Sequence, residues 1–344
     1  MSGTSVPLFI FKMKKKNILL VILVCFGLVF GVLYFFKKPK EILITSDRSI
    51  TSLKPTNLIN TPTESYKIRF SDKFLYTLDF DSNQIYKFAL DGRIQQTLSA
   101  GKAKRLDSPL IIDFDIDSSG NVMVADAKNH RFIKIDREQN LTFESSPERF
   151  TRAKFIGSDQ FLCKSFDKSF KNDNVLILGK NQDKVIDGIL PIYNDGGMAT
   201  DGFFVNNNKS YAHVSYHMGD IIVWDKTTDK ATRFKTLDSY NIKPEVLDEG
   251  HGRFTLKGDS KTINICGGAN DDNLYILSNV RAKNETHSDF TENNVIDVYS
   301  IAKRKYVKSY YLPRIDGERI TDFVIKNHTL YSVQGKKIAI YDLI

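Results

Sequence analysis

The chain has 344 residues, with 49 basic and 41 acidic side chains and a formal net charge of +8 at pH 7. The first forty residues contain seven of the lysines and no acidic residue, so the rest of the chain carries 42 basic and 41 acidic side chains. The body of the chain is therefore nearly neutral, which argues against nucleic-acid binding because that function needs a basic surface on the folded domain.

The first predicted element is a membrane-spanning helix. Asn17–Phe36 is a 20-residue run without a charged side chain, and as a helix it would be about 30 Å long, the thickness of a bilayer's hydrocarbon core. Lysines flank the run, and they are more numerous before it (Lys12, Lys14, Lys15, Lys16) than after it (Lys37, Lys38, Lys40). This bias places the N-terminus in the cytoplasm. We predict a basic cytoplasmic segment at 1–16, a signal anchor at 17–36 and a single-pass membrane protein whose main domain lies outside the cytoplasm.

Two other interpretations of this run compete with the anchor. A cleaved signal peptide would have a shorter apolar region that ends in small residues, whereas this run ends in Tyr34, Phe35 and Phe36. A lipoprotein attached through Cys25 would need a small residue beside that cysteine, and Val24 stands there instead. The residues therefore favour an uncleaved anchor.

The remainder of the chain has the pattern of an all-β protein, since short apolar runs alternate with turns rich in Asp, Asn, Gly and Lys. Asp79 and Asp126 end two similar strands and are 47 residues apart, which is the period of a β-propeller blade. Six such units follow one another, and the last one ends after three strands. Because a closed ring leaves no unpaired edge, the missing outer strand should come from Ile42–Tyr66. We predict a linker with this ring-closing strand at 37–65 and a six-bladed β-propeller at 66–344.

The second unit resembles an NHL repeat. Its sequence runs Asp-Ser-Ser-Gly-Asn, Val-Met-Val-Ala-Asp and, after two residues, Asn-His-Arg before another strand, over 117–131. Residues 42–344 as a whole resemble the six-bladed, TolB-like propellers of extracytoplasmic bacterial proteins, although only the first two units match NHL repeats well. The stretch Val295–Pro313 is similar to phrases in Bacteroidetes-type proteins. The resemblance implies a binding or scaffold role with a protein or peptide partner, without a defined chemistry.

The first strand of each blade should line the central channel of the propeller. Six apolar positions on these strands align as core residues: Phe70, Phe114, Phe155, Phe203, Ile265 and Phe323. Strand alternation sends the residue before each of them to the opposite face, and Asp201 replaces Gly202 in the fourth unit. The predicted ligand-binding ring is therefore Arg69, Asp113, Lys154, Asp201, Asn264 and Asp322. Such a ring could bind a polar small molecule or an ion, or it could simply be filled with water.

Ligand spacing offers two candidate metal sites. His213 and His217 would share one face of a strand, unless the turn at Met218-Gly219 ends the strand before His217, with His251 or Asp201 as a third ligand from another loop. Asp113, Asp115 and Asp117 begin like a calcium loop, but Ser118 and Val124 stand where that loop needs glycine and glutamate. We therefore interpret the three carboxylates as strand and turn residues and keep the histidine pair as a weak metal candidate.

Several other polar and apolar residues have a structural interpretation. Asp126 and the turn Asn129-His130-Arg131 should hydrogen-bond the hairpin backbone, as Asx turns do. Cys163 and Cys266 are isolated and should be small buried residues, unless the fold brings them together as a disulfide. Trp224 should pack between blades.

Three functions fit these features. The chain lacks nucleophile-elbow, zinc-protease and phosphate-loop motifs, so the favoured hypothesis is a membrane-anchored extracytoplasmic propeller that binds a ligand or partner and carries no cofactor. The second is a metal-dependent, lactonase-like hydrolase that would hold a divalent ion at the channel mouth with Asp113, Asn264, Asp322 and Asp201. The third is an accessory subunit of a membrane redox or secretion complex.

Overall fold

The computed structural model describes residues 42–343, apart from 80, 101–108, 147, 158, 167–170, 172, 180–183, 187–189, 239 and 241. The predicted cytoplasmic segment and the membrane helix at Asn17–Phe36 lie outside the described residues. Within the described part, no helix has both the length and the apolar composition to cross a bilayer.

Two short strands, β1 (Ile50–Ser52) and β2 (Asn57–Asn60), precede a series of antiparallel sheets. Blade 1 consists of β3 (Lys67–Ser71), β4 (Phe74–Asp79), β5 (Gln84–Ala89) and β6 (Ile94–Ser99). Blade 2 consists of β7 (Ile111–Ile116), β8 (Val122–Asp126), β9 (Arg131–Ile135) and β10 (Leu141–Ser145). Blade 3 consists of β11 (Phe150–Gly157), β12 (Gln160–Phe166), β13 (Asp173–Gly179) and β14 (Lys184–Ile186).

The second half of the chain repeats this plan with one extra hairpin. Blade 4 consists of β15 (Gly202–Asn206), β16 (Ser210–Ser215), β17 (Asp220–Asp225) and β18 (Ala231–Lys235). A separate hairpin follows, formed by β19 (Val246–Gly250) and β20 (Arg253–Leu256). Blade 5 consists of β21 (Asn264–Ala269), β22 (Asn273–Ser278), helix α1 (His287–Glu292), β23 (Asn293–Ser300) and β24 (Lys305–Pro313). Blade 6 contains β25 (Ile320–Lys326), β26 (Thr329–Gln334) and β27 (Lys337–Asp342).

The N-terminal strands close the ring. β2 pairs antiparallel with β27, with Leu58 opposite Ala339, and so supplies the fourth strand of blade 6. β1 pairs parallel with β24 and extends blade 5 to five strands. The innermost strands β3, β7, β11, β15, β21 and β25 contact one another in that order, and β25 contacts β3. The six-bladed propeller that the repeats predict is therefore confirmed.

Carboxylates of the strand ends hold the turns. Asp126 accepts hydrogen bonds from Asn129 Nδ2 at 2.7 Å, from Arg131 Nε at 2.9 Å and from the Leu110 backbone at 3.1 Å. Asp79 accepts one from Ser82 Oγ at 2.8 Å at the matching place in blade 1. Each carboxylate also accepts from a backbone N–H of its own turn, Asp126 from Asn129 at 3.4 Å and Asp79 from Asp81 at 2.9 Å, which confirms the structural interpretation of the Asp126 turn.

The hydrophobic core lies in the layers between neighbouring blades. Trp224 packs with Ile186, Leu190 and Tyr211, which places it between blades 4 and 3 as predicted. Cys163 and Cys266 are buried thiols in two different core clusters, so they behave as small apolar residues and form no disulfide.

A buried ionic network fastens the segment before β1 to blade 5. Arg48 is 4% exposed. Its Nη1 lies 2.6 Å from Glu285 Oε2, and its Nε lies 2.8 Å from Asp297 Oδ1. Tyr311 donates to the other Glu285 oxygen at 2.7 Å, and Ser309 donates to Asp297 at 2.6 Å. Both carboxylates are thus compensated by a cation and by hydroxyl donors, as buried charges need to be.

Candidate functional site

The central channel of the propeller holds a cavity. Its volume is about 770 Å³, and residues from the innermost strands of all six blades line it. Small-molecule sites in proteins have volumes of roughly 300–1,000 Å³. The channel is therefore large enough for a ligand and is built jointly by the whole ring.

A charged arc covers the wall from blade 6 through blades 1 and 2 to blade 3. Arg69 is its centre, since Nη1 lies 2.7 Å from Asp322 Oδ2, Nη2 contacts Asp113 Oδ1, and Nε donates to the Phe114 carbonyl at 2.8 Å. Lys154 Nζ lies 2.8 Å from Asp115 Oδ2 and 3.6 Å from Asp113 Oδ2. These ion pairs connect four neighbouring blades at the axis.

Burial and pairing act in opposite directions on the pKa values of this arc. Burial by itself lowers the pKa of Arg69, but the charges of Asp113 and Asp322 outweigh it, and the net pKa is raised. Burial raises the pKa of Asp113, and the charges of Arg69 and Lys154 reverse this to a lowered pKa. Arg69 and Asp113 therefore hold opposite charges at neutral pH, and their pairing stabilises both charged forms.

An apolar arc forms the opposite wall on blades 4 and 5. Phe203 and Val205 line it from β15, and Cys266, Gly267 and Gly268 line it from β21. A side chain at 267 would place its Cβ 2.7 Å from Phe203 Cε2, so only glycine leaves room for that ring. Burial raises the pKa of Cys266 well above its ordinary value, and Asp322 adds to this effect. The thiol is therefore protonated and behaves as part of the apolar wall.

The two ends of the channel differ. Tyr66, Lys67 and Tyr216 lie at the end where the innermost strands begin. Asn207, Asn270 and their neighbouring turn residues line the end where these strands turn back, and Asn207 Nδ2 donates to the Asn270 carbonyl at 2.8 Å. One mouth is therefore aromatic and cationic, and the other is a rim rich in amides that also contains Asp271, Asp272, Lys326 and His328.

The structure brings four of the six predicted ring residues together, namely Arg69, Asp113, Lys154 and Asp322. Asp201 is displaced from them, because its Oδ2 lies 2.6 Å from Arg152 Nη2 and it does not line the cavity. Asn264 also lies outside the cavity, since its Nδ2 donates to the Ser215 carbonyl at 2.8 Å.

The register of β21 explains the error at Asn264. The pairing with β22 shifts between Asn264 and Gly267, and such a bulge changes the face that later residues occupy. Ile265, Gly267 and Ala269 are consequently the partly exposed residues of β21 that line the channel, whereas Asn264 and Cys266 are buried.

Sequence reasoning missed Lys67, Asp115 and Arg152, which also line the channel. Each is two residues from a predicted ring residue on the same strand, and side chains two apart share a face. Extending the alternation by one step in each of these strands would have found all three.

The candidate metal ligands do not converge. His213 is buried in β16 against Phe204, with ring centroids 5.4 Å apart, and neither of its ring nitrogens has a hydrogen-bond partner among the described residues. Burial, with a smaller effect from Lys164, lowers the pKa of His213 to about 3. His217 lies beyond the end of β16, and its Nδ1 is 2.8 Å from the Lys261 carbonyl. The expected common strand face is wrong, because β16 ends at Ser215.

The carboxylate set of the hydrolase hypothesis does not fit a metal either. Asp113 and Asp322 both pair with Arg69, Asp201 pairs with Arg152, and the Asn264 amide is bound to backbone. Across the described part of the chain, no group of three or more His, Cys, Asp or Glu side chains is arranged to hold a metal ion.

Comparisons with known proteins support the fold. No family model matches the chain, and no curated protein matches it significantly. Among solved structures, virginiamycin B lyase from Staphylococcus aureus is 12% identical with a TM-score of 0.52, covering 84% of this chain and 99% of that one. A Bacteroides fragilis protein described as exported is 10% identical with a TM-score of 0.53, covering 85% and 98%. The RRP9 WD40 repeats are 10% identical with a TM-score of 0.50, covering 87% and 100%. At these identities the likeness concerns the propeller fold alone.

Proposed function

We propose that this protein is a binding module, whose propeller takes up a ligand or a segment of a protein partner through its central channel. One observation carries the proposal: a cavity of about 770 Å³ is lined by all six blades and has a charged arc facing an apolar one. Convergent polar groups opposite apolar walls are the usual composition of a ligand site. The charged side chains of the arc are paired with one another, so they can hydrogen-bond a ligand and orient it but supply no nucleophile. This favours binding over catalysis.

The proposal includes an extracytoplasmic position. The uncharged run at Asn17–Phe36, preceded by four lysines, supports a signal anchor, and the resemblance to NHL and TolB-like propellers supports a domain at 66–344 outside the cytoplasm. An accessory role in a membrane complex is one form of this function. The test is extraction of cell membranes with alkaline carbonate, followed by protease treatment of spheroplasts. Retention in the membrane and digestion from outside are expected, and release by carbonate would contradict the anchor.

A bulky side chain placed in the channel tests whether the ligand or partner binds there. Ala269 lies at the end of β21 and lines the cavity, so Ala269→Trp would fill it without removing a charge. Tagged protein is crosslinked in membranes, and the captured proteins and co-purified small molecules are identified by mass spectrometry. The proteins and small molecules captured specifically by the unsubstituted protein should be absent from the Ala269→Trp sample. Thr97→Trp on the exposed outer strand β6 is the matched control. Equal capture by both variants would exclude the channel as the binding site.

A further inference from the structure

Two cations at one end of the channel have donors that the protein leaves unused. Among the described residues, Lys67 Nζ has no carboxylate at ion-pair distance, and it lies 5.1 Å from the centroid of the Tyr66 ring. Arg152 pairs with Asp201 through Nη2 at 2.6 Å, and Nη1 donates to the Thr151 carbonyl at 2.8 Å. Its Nε is buried and has no hydrogen-bond partner within the described part of the chain.

These two cations lie near one phenol. Arg152 Cζ is 5.6 Å from the Tyr216 ring centroid. Burial raises the pKa of Tyr216, whereas the charges of Lys67 and Arg152 both act to lower it. Lys67, Arg152 and Tyr216 all line the cavity. They therefore form one cluster, which we call the cationic mouth.

The two cations of the charged arc are already compensated. Arg69 is held by Asp113 and Asp322, and Lys154 is held by Asp115. Burial lowers the pKa of Lys67, but the charges of Asp322 and Asp113 outweigh this and raise the net pKa, so Lys67 is charged although it makes no direct ion pair among the described residues. An incoming anion would form charge-assisted hydrogen bonds there, which are roughly twice as strong as those between neutral groups.

We infer that the cationic mouth binds the acidic head group of a small amphipathic molecule, a carboxylate, sulfonate or phosphate on an apolar body. The apolar body lies along the opposite arc of the same channel, on the partly exposed Ile265, Gly267 and Ala269 of β21. This inference rests on the proposed binding function and adds the chemical class of the ligand. It explains why charge and apolar surface occur on opposite walls of one cavity.

Two fluorescent probes that differ only in the acid test the inference. 8-Anilinonaphthalene-1-sulfonate carries a sulfonate, and N-phenyl-1-naphthylamine is the same skeleton without it. Fluorescence titration of the purified protein should give an affinity at least about tenfold higher for the sulfonate, the ratio expected from one charge-assisted contact of about 1.4 kcal/mol. Octanoate should displace the sulfonate probe, and octanol at the same concentration should not.

Variants assign the preference to the cluster. Lys67→Gln should lower the affinity for the sulfonate about tenfold and leave that for the neutral probe within about twofold. Because Lys67 makes no direct ion pair among the described residues, the Lys67→Gln substitution leaves no carboxylate without its partner, and we expect the variant to fold. Arg152→Gln should act in the same direction, and Lys230→Gln, at an exposed lysine, is the control.

Equal affinities for the two probes, a Lys67→Gln variant indistinguishable from Lys230→Gln, or no binding of either probe would each overturn the inference. None of these results would refute the proposed function, because the Ala269→Trp capture experiment does not depend on ligand charge. Conversely, equal capture in that experiment would refute channel binding whatever the probes show.

Discussion

Replacing Arg48 by methionine should strongly destabilise the propeller. Arg48 donates to both Asp297 oxygens at 2.8 and 3.0 Å, to Glu285 at 2.6 Å and to Ser278 Oγ at 2.8 Å, and the side chains of Arg48 and Glu285 are fully buried. Methionine fills much of the same volume but leaves two buried carboxylates without a cation. Loss of one partner from a buried ion pair costs about 3–5 kcal/mol, a large fraction of the roughly 5–15 kcal/mol that stabilises a typical domain.

The assay is urea unfolding of residues 42–344 followed by far-UV circular dichroism, with the free energy of unfolding taken from linear extrapolation. Lys54→Met is the matched control, because Lys54 is exposed on the same segment and should change stability by no more than about 0.5 kcal/mol. Adding Glu285→Gln and Asp297→Asn to Arg48→Met should recover part of the loss, since neutral side chains cost less to bury. A loss for Arg48→Met as small as that of the control would refute the ionic fastening of this segment.

Three further predictions follow from the fold. Residues 42–344 should unfold in one cooperative transition, whereas 61–344, which lacks β2, should lose cooperativity and aggregate in ultracentrifugation because β27 becomes an open edge. His213→Leu should flatten the pH dependence of stability between pH 6.5 and about 3. In the unsubstituted protein, the His213 side chain takes up a proton in this range only when the chain is unfolded, so the free energy of unfolding decreases by about 1.4 kcal/mol for each unit by which the pH is lowered. An unchanged slope in urea titrations of the variant contradicts this. The Cys266 thiol should resist Ellman's reagent at mildly alkaline pH until urea unfolds the protein, because burial raises its pKa.

The repeat was readable from the sequence because it depends on local chemistry. Asp79 and Asp126 hold equivalent turns with their own side chains, so their spacing reports the blade period directly. The incomplete sixth unit likewise pointed to an N-terminal strand, since β27 would otherwise have a free edge. These inferences need only strand alternation and the rule that sheet edges are paired.

The channel lining was only partly readable because it depends on register. The innermost strands of blades 2, 3, 5 and 6 each contain a shift near their start, as between Ile111 and Asp113. A one-residue bulge moves every later side chain to the other face, and nothing in the residue pattern around Asn264 signals it. The separate hairpin of β19 and β20 also has no counterpart in the repeat.

The charges of the channel divide into two groups with different consequences. Arg69 on blade 1 contacts Asp322 on blade 6 and Asp113 on blade 2, so it fastens three innermost strands at the axis. Its partners are fixed, and an incoming acid would have to compete with two carboxylates for it. Lys67 stands two residues earlier on the same strand; Asp322 and Asp113 act on its charge, but among the described residues no carboxylate lies at ion-pair distance from it. A ligand can therefore use Lys67 without opening the ring, which is why ring stability and ligand affinity should respond to different substitutions on a single strand.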